Sequence, residues 1–311
     1  MKQQQLSERW FWCSACLFLG SMKDRIDPLI AERAGWLYSG KPGIDSARKV
    51  LETILGYPKT VRLGEYLNDL DARSIMDHMA KNLALNVDVT GLDNLPSSGA
   101  ALIVANHPTG IADGIMVWYA IARRRRDAFF YANSDILRVL PQMSDVIAPV
   151  EWRQGKRSRE KTRETLSYTR TAMQAQRIGV VFPSGRLAKR KGLSLTERPW
   201  MQSAVSIARK YDVPLIPLRI QARNSALFYL FDFVHPTLRD ITLFHETLNK
   251  DKQPYKLILG KPIYLDDLGS NVPGAIETVR HATLSLGRNT DVSLLEASRI
   301  PNSIRLILGQ T

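Results

Sequence analysis

The sequence predicts an α/β fold: a mixed, largely parallel sheet flanked by helices and preceded by a helical N-terminal extension. Beyond Gly91, short apolar runs bounded by Gly, Pro, Asn and Ser alternate with helix-like stretches, which is the pattern of βα units. Before Gly91, apolar residues recur at helical spacing. At 311 residues and 44% hydrophobic composition, the chain can bury one large core or two modest ones.

The most hydrophobic stretch is 10–20, WFWCSACLFLG, but its eleven residues fall short of the roughly 20 needed to cross a bilayer. Paired Trp10 and Trp12 near Lys2 and Arg9 suit an interfacial membrane anchor, and an ordinary packed helix fits equally well. Cys13 and Cys16 have no second pair of Cys or His at ligand spacing, so they read as small apolar residues on a helix. Asp45 and Ser46 predict an N-cap for a helix carrying Val50, Leu51, Ile54 and Leu55 on one face. Over 72–85, Ile75, Met79 and Leu83 predict an amphipathic helix seeking a core. Strands are expected at 100–105, 128–132, 179–182, 215–220 and 256–259, with helices at 157–177, 201–210 and 275–286. The expected organisation is a helical region over 1–85, an α/β domain over 86–270, and a C-terminal helix and tail over 271–311.

Forty-three Lys and Arg against 30 Asp and Glu leave a net charge of +13. Such a surface attracts polyanions: anionic lipid, acidic carrier proteins or nucleic acid. The basic runs at 123–126, 153–163 and 189–191 serve adhesion to anionic lipid or are solvated surface charge. A nucleic-acid-binding protein would show a recognisable binding fold or aromatics interleaved with the basic runs. Neither is present, so no nucleic-acid partner is expected.

Three stretches carry chemistry. The first strand ends in Asn106-His107-Pro108-Thr109-Gly110-Ile111-Ala112-Asp113-Gly114, delivering an imidazole to the carboxyl edge of the sheet, where ligands bind in open α/β folds. An Asp six residues on can return across the turn, accept a hydrogen bond from the ring and fix its tautomer. A loop His with a capping Asp is the plainer alternative. The second stretch is Gly179-Val180-Val181-Phe182-Pro183-Ser184-Gly185-Arg186, a buried strand opening into a turn whose Arg and backbone N–H groups can hold phosphate or carboxylate. The third, Val213-Pro214-Leu215-Ile216-Pro217-Leu218, is an apolar strand punctuated by proline, which by itself indicates a buried or edge strand.

In this order, the three stretches resemble the lysophospholipid and glycerolipid acyltransferase family, whose motifs are His-x4-Asp, F-P-E-G-T-R and V-P-x-x-P. The lead-in Val89-Thr90-Gly91-Leu92-Asp93-Asn94-Leu95-Pro96 resembles the family's V-x-G-x-E-N-x-P, and Gly260-Lys261-Pro262-Ile263 its G-x-P-I ending. The resemblance spans roughly residues 85–265. Two departures stand out: His107 and Asp113 are one residue further apart, and Ser184 replaces the Glu, with Arg186 one place early. Both features resemble a branch called haemolysin-like or linked to ornithine-lipid synthesis, as do Asn224-Ser225-Ala226-Leu227-Phe228 and His235-Pro236-Thr237-Leu238-Arg239.

The resemblance implies an O-acyltransferase of membrane lipid synthesis. His107 would be the general base and Asp113 its orienter, with Ser184, Gly185, Arg186 and Arg138 toward the substrate. The donor would be acyl-CoA or acyl carrier protein as co-substrate, with no resident cofactor. The acceptor would be a lyso-lipid such as lysophosphatidic acid or a lyso-ornithine lipid. It also implies a peripheral protein on an anionic membrane surface, at the cytoplasmic face of the inner membrane. No G-x-S-x-G, H-E-x-x-H or Walker motif is present, which disfavours a serine acyl-enzyme, a metalloenzyme and a nucleotide enzyme. A catalytically silent lipid-binding relative remains the alternative.

Overall fold

The computed structural model describes residues 20–287 apart from 152, 154, 156, 157 and 193. Cys13, Cys16 and the tail from 288 lie outside the described residues, as does the expected anchor at 10–20 except for Gly20.

Among the described residues four α-helices come first: α1 (Met22–Arg33), α2 (Ile44–Ile54), α3 (Tyr57–Asn68) and α4 (Ala72–Leu83). Asp71 caps α4 by accepting from the N–H groups of Arg73 and Ser74, and Ile75, Met76, Met79 and Leu83 are buried, as the periodicity predicts. The start of α2 differs from expectation. Its N-cap is Gly43 in the left-handed region, and Asp45 falls inside the first turn, where its charge complements the helix dipole. Its apolar face is split: Leu55 is buried whereas Val50 and Ile54 are exposed.

Seven strands form the main sheet: β1 (Val87–Thr90), β2 (Ala101–Ala105), β3 (Phe129–Asn133), β4 (Ile147–Val150), β5 (Ile178–Val181), β8 (Leu215–Gln221) and β9 (Tyr255–Leu259). The intervening β6 (Lys189–Lys191) and β7 (Ser194–Thr196) make a separate antiparallel hairpin. The sheet order is β1-β9-β8-β2-β5-β3-β4. Every pairing is parallel except β8 with β9, so the expected mixed, largely parallel α/β architecture is what forms. Strands β1 and β4 and the β6–β7 hairpin add to the expected set. They are three or four residues long, too short for alternation to be legible.

Residues alternate between the two faces of the sheet. Ala101, Ile103, Ala105, Val180, Ile216 and Leu218 join one apolar cluster with α1, α3, α4 and α5 (Ile111–Ile121). Leu102, Val104, Val181 and Leu215 join another with α7 (Arg159–Gln174), α8 (Ser203–Tyr211) and α12 (Val272–Ser285). The N-terminal helices and the α/β region therefore share a core. Between β3 and β4 lies α6 (Asp135–Val139); between β8 and β9 lie α9 (Ala226–Val234), α10 (Pro236–Ile241) and α11 (Leu243–Leu248). Pro217 sits in the interior strand β8 because the β8–β9 ladder ends at Leu218 opposite Leu259. The proline's missing donor thus falls just past that ladder, while its carbonyl accepts from the Gly260 N–H. Among the described residues no helix is long and apolar enough to cross a membrane.

Candidate active site

Strand β2 is buried along its whole length and sits between β8 and β5 at the centre of the sheet. Its C-terminal end is fixed by Asn106, whose amide donates to the Ile220 carbonyl at 2.9 Å and accepts from the Ile220 N–H at 2.7 Å. His107 follows immediately. The chain then turns through Gly110, which has φ +101, a conformation open to glycine and costly for any L side chain. A Cβ there would also meet Leu187 at 3.2 Å and Leu243 at 3.4 Å.

Gly110 is the N-cap of α5, and Asp113 occupies the third helical position. That placement explains the spacing of six: a carboxylate at this position turns back to receive N–H groups ahead of the helix. Asp113 Oδ2 lies 2.9 Å from His107 Nδ1 and accepts from the N–H groups of Thr109 at 2.9 Å and Gly110 at 3.1 Å. Its other oxygen accepts from the Thr109 hydroxyl at 2.6 Å. The Thr109 proton is thereby committed to Asp113, so the Tyr255 hydroxyl, 2.6 Å away, donates to Thr109. Asp113 is fully buried while the His107 side chain keeps 20% exposure. A carboxylate on Nδ1 directs the proton to that nitrogen and leaves the Nε2 lone pair to take one from a substrate.

The turn after β5 lies alongside. The His107 ring stacks on Phe182 at 4.4 Å, and the His107 carbonyl accepts from Ala188 N–H at 2.9 Å. Ser184 donates to the Arg186 carbonyl at 2.8 Å, and Gly185 N–H donates to the Phe182 carbonyl. Both therefore shape the turn. Gly185 has φ +60, and Arg186 is exposed at the turn's surface. Thus His107, Asp113, Ser184, Gly185 and Arg186 gather at one edge of the sheet. Arg138 is elsewhere. It lies on α6 in ion pairs with Glu32 at 2.8 Å and Asp135 at 3.8 Å, two strands removed from β2.

Sequence reasoning missed three groups here. Glu197 accepts from the His107 N–H at 3.3 Å and from the Trp200 indole at 3.2 Å. Burial raises its carboxyl above the ordinary range, against the lowering pull of the nearby Ser184 hydroxyl and of the His107 backbone N–H. Tyr255, which braces Thr109, has its phenol pushed well up by burial, with the Asp113 charge adding to the effect. Behind it, Lys250 forms a fully buried ion pair with Glu246 at 3.0 Å and also donates to Asn224. Glu197 and Tyr255 sit 90 and 146 positions from His107 and Thr109, the loop residues they touch, in stretches with no distinctive pattern, so only folding brings them in. Arg125 is also not the solvated charge the basic run suggested. It is buried and donates to the Gly99 and Gln176 carbonyls and to Asp127. Among the described residues, no cluster of three or more His, Cys, Asp or Glu could hold a metal ion.

Residues 86–221 match the family model described as Acyltransferase. The chain is similar to the lyso-glycine lipid O-acyltransferases of Phocaeicola vulgatus, with 25% identity over 58% of this chain and 65% of that protein, and of Bacteroides thetaiotaomicron, with 26% identity over 58% and 67%. It therefore spans 65% of the length of the first relative. A solved 1-acyl-sn-glycerophosphate (LPA) acyltransferase, PlsC, from Thermotoga maritima superimposes with a TM-score of 0.46 and 17% identity, covering 77% of this chain and 97% of that one. The motifs and the family match thus coincide over residues 86–221, the part of the chain that resembles the glycerolipid acyltransferases.

Proposed function

We propose that the protein transfers a fatty acyl group from an acyl thioester, acyl-CoA or acyl carrier protein, to the hydroxyl of a lyso-lipid in membrane lipid synthesis. The observation that carries this reading is the imidazole of His107, 2.9 Å from a buried carboxylate that receives three further hydrogen bonds. The acceptor hydroxyl gives its proton to His107 Nε2 as its oxygen attacks the thioester carbonyl. The C–S bond then breaks, an ester C–O bond remains, and the thiolate leaves with the proton returned by His107. Positioned base catalysis of this kind is worth roughly 10²–10⁴-fold.

Arg186 takes the anionic head of the acceptor, through carboxylate or phosphate alike. The names of the two curated relatives favour a lyso-lipid built on an amino acid, such as a lyso-glycine or lyso-ornithine lipid, over lysophosphatidic acid. The protein works peripherally on an anionic membrane surface at the cytoplasmic face of the inner membrane. The test incubates the protein with labelled acyl-CoA or acyl carrier protein and a panel of these three lyso-lipids. Incorporation by the wild type that is lost in His107→Ala supports the reading. Equal incorporation by both removes His107 from the mechanism.

A further inference from the structure

Helix α9, sequence ALFYLFDFV, carries eight apolar or aromatic residues in nine, more than its inner face can bury. Phe228 is buried, and Leu227 and Phe231 pack on a small cluster with Leu37, Leu55 and Ile241. Leu230, Phe233 and Val234, three and four residues apart on one face, remain 57%, 77% and 61% exposed. Scattered single exposures are ordinary, whereas a contiguous apolar face marks an interaction site. Helix α2, with Val50 and Ile54 exposed, contributes Leu51 to the same cluster, and its C-cap Leu55 joins it.

The neighbouring charge is positive. The β6 strand is three cations in a row, Lys189–Lys191. Arg190 reaches across to α9, lying 6.0 Å from the Phe233 ring and 3.6 Å from Asp232. The same hairpin is tied to the catalytic loop, since Ala188 donates to the His107 carbonyl, and it emerges from the turn that presents Arg186. Apolar side chains flanked by cations suit a surface with an apolar interior and anionic head groups.

From this geometry we infer that α9 and the β6–β7 hairpin dock on an anionic lipid bilayer. Leu230, Phe233 and Val234 enter the boundary between head groups and acyl chains, and Lys189 and Arg190 of β6 contact head groups. The docking sets the His107 edge at the membrane surface, where a lyso-lipid reaches the site without crossing water. This rests on the lyso-lipid reading for its purpose but not for its measurement.

The test places an environment-sensitive fluorophore on the full chain at Leu230→Cys or Val234→Cys, in a Cys13→Ser, Cys16→Ser background. A control carries it at Leu166→Cys, an exposed position on α7. With phosphatidylglycerol-containing vesicles, blue-shifted emission at 230 and 234 but not at 166 is expected. Three results overturn the proposal: no shift at 230 and 234; emission already blue-shifted and indifferent to vesicles, meaning another part of the chain covers the face; or a shift that grows with protein concentration alone, meaning a second copy does.

In parallel, Leu230→Ser with Phe233→Ser weakens acylation of a lyso-lipid embedded in vesicles by at least about tenfold and spares acylation of a short-chain monomeric analogue. Equal loss on both substrates overturns the docking role. If the wild type acylates neither, the lyso-lipid reading fails while the fluorescence result still decides the docking surface.

Discussion

His107, Asp113 and Glu197 form a chain of buried or half-buried polar groups at the end of β2, and each makes a separable prediction. His107→Ala is expected to lower kcat by roughly 10²–10⁴-fold with unchanged circular dichroism, because the ring is partly exposed and its removal leaves no large cavity. Asp113→Asn is expected to lower activity and also stability by about 1–3 kcal/mol, since an amide nitrogen would face donors where Oδ1 or Oδ2 now accepts four hydrogen bonds. Thermal unfolding monitored beside acyl transfer separates the two effects. Glu197 binds its proton more tightly folded than unfolded, because burial raises its carboxyl. Its contribution to stability is greatest below the ordinary carboxylate range and falls as pH rises through that range toward the folded value. Glu197→Gln is expected to flatten this part of the stability–pH curve, which denaturant titrations between acid and neutral pH would read.

At the scale of elements, the site is held by short tethers between segments distant in sequence. The lead-in to β2 presses on the end of β9. Asn94 donates to the Leu259 carbonyl at 2.9 Å, and a Cβ on Gly91, at φ +73, would stand 2.1 Å from that same oxygen. Gly91→Ala is therefore expected to destabilise the fold by about 1–3 kcal/mol, measured by chemical denaturation. On the opposite side of the site, Lys250 and Glu246 fix the start of α9, since Glu246 also accepts from the Ser225 N–H at 2.8 Å. Burial lowers the Lys250 ammonium, and the Glu246 charge opposes this. Lys250→Met leaves that carboxylate buried without its cation and is expected to cost about 3–5 kcal/mol, seen as a lowered Tm.

Across the whole molecule, the surplus of 13 positive charges acts at longer range than any one of these contacts. Association with anionic vesicles is expected to weaken steadily as ionic strength rises past about 0.15 M, where the Debye length is near 8 Å. A residual component that resists salt would belong to apolar insertion. Sedimentation with vesicles across a salt series measures both parts. Several arginines in the basic runs are already committed internally: Arg125 to Asp127, Arg126 to Asp77, Arg153 to Glu151 and Asp135, and Arg190 to Asp232. Net charge therefore overstates how much cation is free to meet a membrane.

By itself the sequence determined what local chemistry determines. The alternation of apolar runs with helical stretches predicted the sheet and its flanking helices, because strands covered on both faces read as short continuous apolar runs. The Asn106–Gly114 stretch predicted a His and an Asp meeting across a turn, because a cap at the start of a helix brings residues of that spacing together. Tertiary structure alone decided the antiparallel entry of β9, the sharing of one core by the N-terminal helices and the sheet, and the arrival of Glu197, Tyr255 and Lys250 behind the His107–Asp113 loop. It also set Arg138 in an ion pair away from that loop and, among the described residues, left one face of α9 exposed. Such contacts depend on which distant segments the sheet order makes neighbours, and no window along the chain records that.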